Sequence, residues 1–129
     1  MALRTTVYDR CIGHAGIAAL IGTRCYPDRL PEGVTYPALT YFRVSADNAP
    51  FRNHDGGPTE FETSRVQFNC YDETGDGAAA LADQLRLAWD GYTDGCTVSV
   101  AWQANRLMTR EDAINAYRAI VDVMIEHGI

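Results

Sequence analysis

Within thirty residues the hydrophobic pattern changes its period from two to about 3.6. In residues 60–71, Val66, Phe68 and Cys70 alternate with polar side chains, which is typical of a strand that buries one face. Residues 78–90 instead repeat apolar side chains at helical spacing and are followed by Gly91, a common stop signal. The apolar stripe of this predicted helix consists of Leu81, Ala82, Leu85, Ala88 and Trp89. A half-buried strand beside an amphipathic helix favours a sheet with helices packed on one face.

The N-terminal pattern predicts another helix over residues 6–21, with Thr6 as its cap and Gly22 as its end. Its predicted apolar face consists of Val7, Cys11, Ile12, Ala15, Ala18 and Ala19. Gly13 and Gly16 lie inside this helix, where each costs about 1 kcal/mol relative to alanine. Their presence indicates that another element approaches the helix closely.

The remaining segments predict strands and irregular connections. Strands are expected at residues 38–45 and 96–103, a long polar loop at 46–59, and a turn at 72–77. Residues 24–37 contain three prolines, which exclude a helix or a central strand, so this segment should run extended along the domain edge. Residues 113–126 fit both periods, but their dense β-branched side chains favour a strand.

The order helix, strand, strand, helix, strand, strand predicts an α+β fold. We expect a mainly antiparallel sheet of about four strands with two helices packed on one face. The length of 129 residues fits a single domain over residues 1–129.

Charge excludes several classes of function. Seventeen acidic residues and eleven arginines, with no lysine, give a net charge of −6. Without lysine the chain has neither a Schiff-base site nor a P-loop, and without clustered positive charge it should not bind nucleic acid nonspecifically. The longest apolar run, residues 15–21, is too short to cross a membrane, and no signal peptide precedes it. We therefore expect a cytosolic protein with no membrane partner.

The search for catalytic residues finds little, and we expect no cofactor and no metal. The cysteines Cys11, Cys25, Cys70 and Cys96 lack metal-ligand spacing and are expected to be reduced and mostly buried. Cys11 and His14 share a helix side, which leaves open a small Cys/His enzyme. A monomeric module that binds a small ligand also stays open. His127 is expected to be solvated, and the paired Glu60 and Glu62 to lie on a solvated strand face.

Three short motifs, in their order and spacing, resemble a known family. They are Gly22-Thr-Arg-Cys-Tyr-Pro27, then Leu30-Pro-Glu-Gly33, then Tyr36-Pro-Ala-Leu-Thr-Tyr41. A strand with Arg65-Val-Gln-Phe68-Asn-Cys-Tyr71 and an alanine- and leucine-rich helix ending at Gly91 follow. This arrangement is similar to that of the tail terminator, or tail completion, proteins of long-tailed bacteriophages.

The resemblance implies a structural virion protein without an active site, assembled in the host cytoplasm. It implies a ring, usually a hexamer, that caps the head-proximal end of the tail tube, ends tube polymerisation and joins the tail to the neck. Its partners would be further copies of itself, the tail tube protein and neck or connector proteins. A connector adaptor or stopper is the nearest alternative within the structural class.

A ring requires two different complementary patches on each copy. The proline-rich edge and the long loop are the candidates, because exposed aromatic side chains there would form a contact surface. The candidate interface residues are Tyr26, Leu30, Tyr36, Phe51, Arg52, His54 and Phe61.

DNA would pass through the ring without being bound specifically, and a negative lumen would repel its phosphates. The candidate lumen acids are Asp47, Asp55, Glu60 and Glu62.

Overall fold

The computed structural model describes residues 3–48, 61–94 and 98–128, without the side chains of residues 47, 48, 61 and 99. Its helices are α1 (Leu3–Gly13), α2 (Ala15–Ile21) and α3 (Gly75–Trp89). Its strands are β1 (Cys25–Pro27), β2 (Ala38–Asn48), β3 (Phe61–Asp72), β4 (Val98–Glu111) and β5 (Ala116–Gly128). A short 3-10 turn, Asp112–Ile114, joins β4 to β5.

The five strands form one sheet in the order β1-β2-β3-β5-β4. β1 is parallel to β2, and the other neighbours are antiparallel. The predicted α+β class is therefore confirmed. The sheet has one strand more than expected because the proline-rich segment contributes β1, at the edge where prolines are tolerated.

All the helices contribute to one hydrophobic core against one side of the sheet, which we call the covered face. Phe68 and Val66 of β3, and Val121 and Val123 of β5, are fully or almost fully buried there. The whole predicted stripe of α3 is buried against them. The opposite side of the sheet, which we call the open face, receives no helix from the described residues.

The N-terminal helix begins earlier than predicted and is divided at His14. His14 has extended backbone angles, and its Nδ1 accepts a hydrogen bond from the N–H of Ile17 at 3.4 Å, so it caps α2. Thr6 is therefore a buried residue inside α1 and not a cap. The restart at His14 also rotates the second half, which exposes Ala15 and Ala19 and buries residues outside the predicted face. These buried residues are Ile17 and Ile21.

One of the two glycine predictions is confirmed. A Cβ on Gly16 would collide with the side-chain amide of Gln84, so α3 does approach α2 closely. Gly13 was predicted to do the same but faces open space. Gly22 ends α2 with φ +59°, a backbone angle that glycine adopts without a steric penalty.

The C-terminal strand prediction is confirmed, since β5 spans Ala116–Gly128. β4 is much longer than predicted, because it continues to Glu111. Register shifts at Val98/Val100 and Gln103/Asn105 also break the simple alternation of β4. As a result Ala101 is buried, whereas Val100 and Trp102 are exposed.

Two predicted connections are shorter than expected. β2 continues to Asn48, so the polar loop begins after the predicted residue 46, and residues 49–59 of that loop lie outside the described part of the chain. The turn at residues 72–77 ends early, because Thr74 accepts a hydrogen bond from the N–H of Gly77 at 3.0 Å and starts α3 at Gly75. Among the described residues, no helix is long and apolar enough to span a membrane.

Candidate interaction surfaces

One half of the open face is polar and internally bonded. Asn69 donates to the Thr40 hydroxyl at 3.2 Å, and both side chains are buried although no helix covers them. Arg65 donates to Oδ2 of Asp122, whose side chain is only 5% exposed. The described residues offer no partner to Oδ1 of the same carboxylate. Hydrogen bonds between its own side chains therefore satisfy much of this half of the face.

The other half of the open face, on β4 and β5, is apolar. Trp102 is 39% exposed and Leu107 is 57% exposed, while Ile120 and Met124 lie half-buried between them. Large apolar side chains gathered on one uncovered sheet face indicate a contact surface.

The outer edge of β4 is divided into a covered and a free part. The N–H of Ala101 donates to the carbonyl of Tyr92 at 2.9 Å, and the N–H of Gly91 donates to the carbonyl of Ala101 at 2.8 Å. The N–H of Gln103 donates to Oδ1 of Asp90 at 3.1 Å. Residues 90–94 therefore protect the beginning of β4, as natural proteins often protect sheet edges.

From Asn105 to Glu111, no backbone bond joins another described segment to the outer edge of β4. We call residues 105–111 the β4 free edge. It includes Leu107 and Met108, whose side chains are 57% and 42% exposed.

The opposite edge of the sheet is divided in the same way. β1 pairs with β2 only opposite Leu39–Tyr41, and the N–H of Asp28 donates to the carbonyl of Tyr41 at 2.9 Å. Within the described part of the chain, residues 43–48 of β2 have no backbone bond on their outer side. We call them the β2 free edge, and Val44, which is 45% exposed, lies on it.

Both free edges lie mostly beyond the predicted strand ends, which were residue 45 for β2 and residue 103 for β4. The signal that was present is the run Arg106-Leu-Met-Thr-Arg110, which combines strand-forming and apolar residues.

The predicted interface residues of the proline-rich segment lie on the β1 side of the sheet. Tyr26 lies in β1, and Leu30 and Tyr36 lie in the connection to β2. All three side chains are half-buried, so each keeps an accessible surface.

The predicted residues of the long loop are mostly not described. Phe51, Arg52, His54, Asp55 and Glu60 lie outside the described residues, as do the side chains of Phe61 and Asp47. Glu62 is described and is half-buried, with Arg43 Nη1 at 3.3 Å from its Oε1. Glu62 therefore has a cationic partner within the same copy.

His127 was predicted to be solvated, and this prediction is wrong. Its side chain is 4% exposed, and its Nε2 lies 2.7 Å from the hydroxyl of Ser64. Oε1 of Glu62 lies 3.8 Å from the same nitrogen. The reason is that β5 continues to Gly128, which carries the alternation of the covered face on to this position.

The thiols are placed for packing. Cys11, Cys25 and Cys70 are free and buried in the core, as expected, whereas Cys96 lies outside the described residues. A hydrogen bond with Cys11, together with burial, raises the pKa of the Cys25 thiol, and burial raises the pKa of the Cys70 thiol. Nucleophilic thiols require the opposite shift. His14 is occupied in capping α2, and the described residues hold no cluster suited to a metal ion.

We expect the three core thiols to resist alkylation in the folded protein. In a Cys96→Ser variant at pH 7, iodoacetamide should leave all three unmodified for hours and label them within minutes in 6–8 M urea. Intact mass counts the added groups. Rapid labelling of Cys11 alone in the folded protein would contradict the packing role and support the Cys/His enzyme.

A hollow of about 270 Å³ lies between α1 and the segment after α3. Arg10 beside it donates two hydrogen bonds to the carbonyl of Ala88, at 3.0 and 2.7 Å, and its guanidinium lies 4.0 Å from the centre of the Tyr92 ring. The hollow is lined by Thr6, Asp9, Arg10, Gly13, Tyr92 and Asp94. Most of its lining residues are polar or charged, which does not favour the small-molecule pocket of a ligand-binding module.

Comparison with known proteins gives one family and one fold. The family model described as Tail completion protein gp17 matches residues 5–127. A chain in the structure titled "Virion of native gene transfer agent (GTA) particle" has the same fold, with a TM-score of 0.73 and 19% sequence identity. The alignment covers 99% of this chain and 96% of that chain. A search of curated proteins found no match.

The family match extends over nearly all of α1 to β5, including the motifs on which the resemblance was based. The structural alignment with the gene transfer agent chain also covers nearly the whole of this chain. The chain therefore belongs to the tail completion protein gp17 family and is a structural protein of a phage-type virion tail.

Proposed function

We propose that this protein forms a ring of identical copies, a hexamer, at the head-proximal end of the tail tube. The ring ends tube polymerisation and offers the surface to which the neck of the head is joined. The observation that supports this most is the family match over residues 5–127. The similar fold in the virion of a gene transfer agent particle agrees with a role in assembly with other virion proteins.

The surfaces of the chain support a structural role without catalysis. Among the described residues, four of the seven exposed large apolar side chains lie on β4, where they favour protein contacts over solvent. They are Val100, Trp102, Leu107 and Met108. The buried thiols and the paired Arg10 offer no reactive or ligand-binding group. We infer that the chain acts as one assembly domain and not as an enzyme.

The charge of the chain agrees with passage of DNA through the ring. Six copies at −6 each give a formal charge of −36. Acidic side chains at the lumen repel phosphate and avoid the attraction by counterion release that a basic channel produces. Asp47, Asp55, Glu60 and Glu62 remain the candidate lumen acids, with Glu62 partly neutralised by Arg43. Their replacement by arginine should slow DNA ejection in a salt-dependent manner, and unchanged ejection would reject this electrostatic role.

Native mass spectrometry of the full chain, with and without assembled tail tubes, tests the ring. We expect a hexamer in solution or on the tubes, and elongating tubes should stop growing once the protein is added. Capture by portal complexes in place of tail tubes would instead identify a connector adaptor or stopper. A monomer at all concentrations, with tubes present, would reject the proposal.

A further inference from the structure

We propose that neighbouring copies join by strand pairing, in which the β4 free edge of one copy pairs with the β2 free edge of the next. The sheets of all copies would then form one continuous sheet around the ring. This inference rests on the proposed ring and specifies its contact. It requires two different surfaces on each copy, as a head-to-tail ring demands.

The two edges match in length. Each offers six or seven residues, and neither has an outward backbone hydrogen bond to another described segment. An exposed edge flanked by apolar side chains is a ready template for pairing with another chain. Leu107, Met108 and Val44 supply those side chains.

The strand directions also match. β4 runs antiparallel to β2 within one copy, because the order β2-β3-β5-β4 alternates direction at each step. Rotation about a ring axis keeps the direction of every strand. β4 of one copy therefore meets β2 of the next in the antiparallel sense, which gives the slightly more stable ladder.

The outward backbone groups restrict the possible registers. Gln103 turns its N–H away from β5 toward residues 90–94, and in an antiparallel pair this orientation recurs at every second partner position. Beyond the register shift at Gln103/Asn105, the β4 residues whose N–H groups point outward are therefore Arg106, Met108 and Arg110. On β2, the outward N–H of Leu39 and carbonyl of Tyr41 are opposite Cys70 and Phe68, and the same β3 positions continue along the strand. They select Arg43, Ala46 and Asn48 on the β2 free edge.

These two sets also agree in the face of the sheet. Met108 is opposite Ala119, and Ala46 is opposite Ser64, so both belong to the covered face. Directly opposed residues in a ladder must share a face, and an offset of one residue would have violated this rule. Every pairing between the two sets satisfies it, and pairing Met108 with Ala46 of the next copy overlaps the two free edges most fully. Helices then lie on one side of the joined sheet and open faces on the other.

The two free edges lie at opposite ends of the sheet, so each copy is offset along the strands relative to its neighbour. Within one copy, the paired strands place Met108 at the same height along the strands as Leu39. Ala46 lies about six residues further along the strand direction. Pairing Met108 with Ala46 of the next copy therefore shifts that copy by about 20 Å along the strands. Four strand spacings of about 4.8 Å give a sideways step of about 19 Å. The strands would then tilt by about 45° from the ring axis, close to the 35–45° typical of closed barrels.

The same geometry gives a channel and involves the proline-rich segment. Six copies contribute about 24 strands through β2, β3, β5 and β4, and barrels of 16–18 strands already enclose a water-filled channel. Past the paired residues of β4, the turn Asp112–Ile114 would lie next to the end of β1 in the neighbouring copy. Ile114, which is 41% exposed, would then contact the segment that contains Leu30.

A two-fold pairing of β4 with β4 is the main alternative. Centred on Met108, it would place Arg106 of each copy opposite Arg110 of the other on the same face. Like charges directly opposite one another destabilise a strand pair. This repulsion occurs twice in the two-fold pairing and once in the proposed pairing, where Arg110 is opposite Arg43 of the next copy. The two-fold pairing would also close a dimer and leave the β2 free edge exposed.

A disulfide ladder tests the register. In a Cys96→Ser background we introduce Ala46→Cys with Met108→Cys, because opposed residues of a hydrogen-bonded pair lie about 5.5 Å apart at Cα, within the range of a disulfide. Copper–phenanthroline oxidation of the assembled ring should give covalent multimers up to the hexamer on a non-reducing gel. The matched control is Ala46→Cys with Leu87→Cys, whose second site is an exposed α3 residue and should give no ladder.

A backbone variant supplies the second test. Met108→Pro removes an outward N–H without touching the β5 ladder, as edge positions allow, and should weaken assembly at least tenfold. Met108→Ala keeps that N–H and should assemble within about threefold of the wild type. Circular dichroism and the melting temperature verify that both variants are folded, and the disulfide ladder decides the matter if Met108→Pro is not.

The outcomes separate this inference from the ring itself. A hexamer by native mass spectrometry that gives no ladder overturns the strand pairing and leaves the ring intact. Disulfide dimers from Met108→Cys alone indicate two-fold pairing and also overturn it. If the wild type forms no ring even on tail tubes, the proposed function fails and this inference with it.

Discussion

Replacing Trp89 by alanine should lower the free energy of unfolding by about 3–5 kcal/mol, the typical loss for a large buried aromatic side chain. Trp89 is fully buried at the end of α3. Its ring lies 5.9 Å from that of Phe68 on the sheet and 5.6 Å, edge to face, from that of Tyr92. It thus joins the helix, the sheet and the segment that covers β4. Urea unfolding followed by circular dichroism measures the loss.

Trp89→Phe is the matched control. The described residues offer no hydrogen-bond partner to the indole N–H, so phenylalanine should lose only packing volume, about 1–2 kcal/mol. Leu87→Ala, on the exposed side of the same helix, should change stability by less than about 0.5 kcal/mol. A Trp89→Ala loss no larger than that of Leu87→Ala would show that the core is not organised around this side chain.

Removing Arg65 should cost about 1–3 kcal/mol of stability, because it leaves the buried carboxylate of Asp122 without its cation. The expected loss is smaller than for a fully buried pair, since the Arg65 side chain is 44% exposed and water can reach its place. Arg65→Ala is compared with the wild type in urea at pH 7. Arg43→Ala, whose pair with Glu62 lies at the margin of the sheet, should cost less than about 1 kcal/mol.

A double-mutant cycle identifies the cause of the Arg65 effect. The cycle consists of Arg65→Met, Asp122→Leu and the double variant. The double variant removes both charges and should be more stable than Arg65→Met alone, because no unpaired charge stays buried. Additive losses in the two single variants would show that Arg65 contributes only through packing.

Much of the covered face could be predicted from the sequence, because its residues obey one period at a time. Val66, Phe68 and Cys70 alternate, the α3 stripe repeats at helical spacing, and all are buried as predicted. The dense β-branched residues near the C-terminus likewise predicted β5. Periodicity succeeds where one face of an element meets a continuous core.

The failures occur where local geometry breaks the period. His14 interrupts the first helix with an extended backbone, and the register shift at Val98/Val100 moves Val100 and Trp102 to the exposed side of β4. Hydrophobicity alone does not encode where a bulge falls, because one extra residue exchanges the faces of every residue after it. His127 was missed for a related reason, since the length of β5 decides whether it is buried.

The candidate surface was only partly predictable. The proline-rich segment was correctly placed at a sheet edge, but the free edges of β2 and β4 depend on which strands become neighbours and on what covers them. That information lies in contacts far apart in the sequence, such as the bond from Gln103 to Asp90. The proposed interface residues in the long loop remain predictions.

The covering of β4 by residues 90–94 also affects how a single copy behaves before it meets a partner. Together with β1 on the other side, it leaves two short stretches of unpaired backbone at opposite corners of the described sheet. Freshly synthesised chains can therefore accumulate with little tendency to stack into fibrils, because a few residues of bare strand hold a neighbour only weakly. In the proposed ring, every free edge would be paired only once the circle of copies is closed.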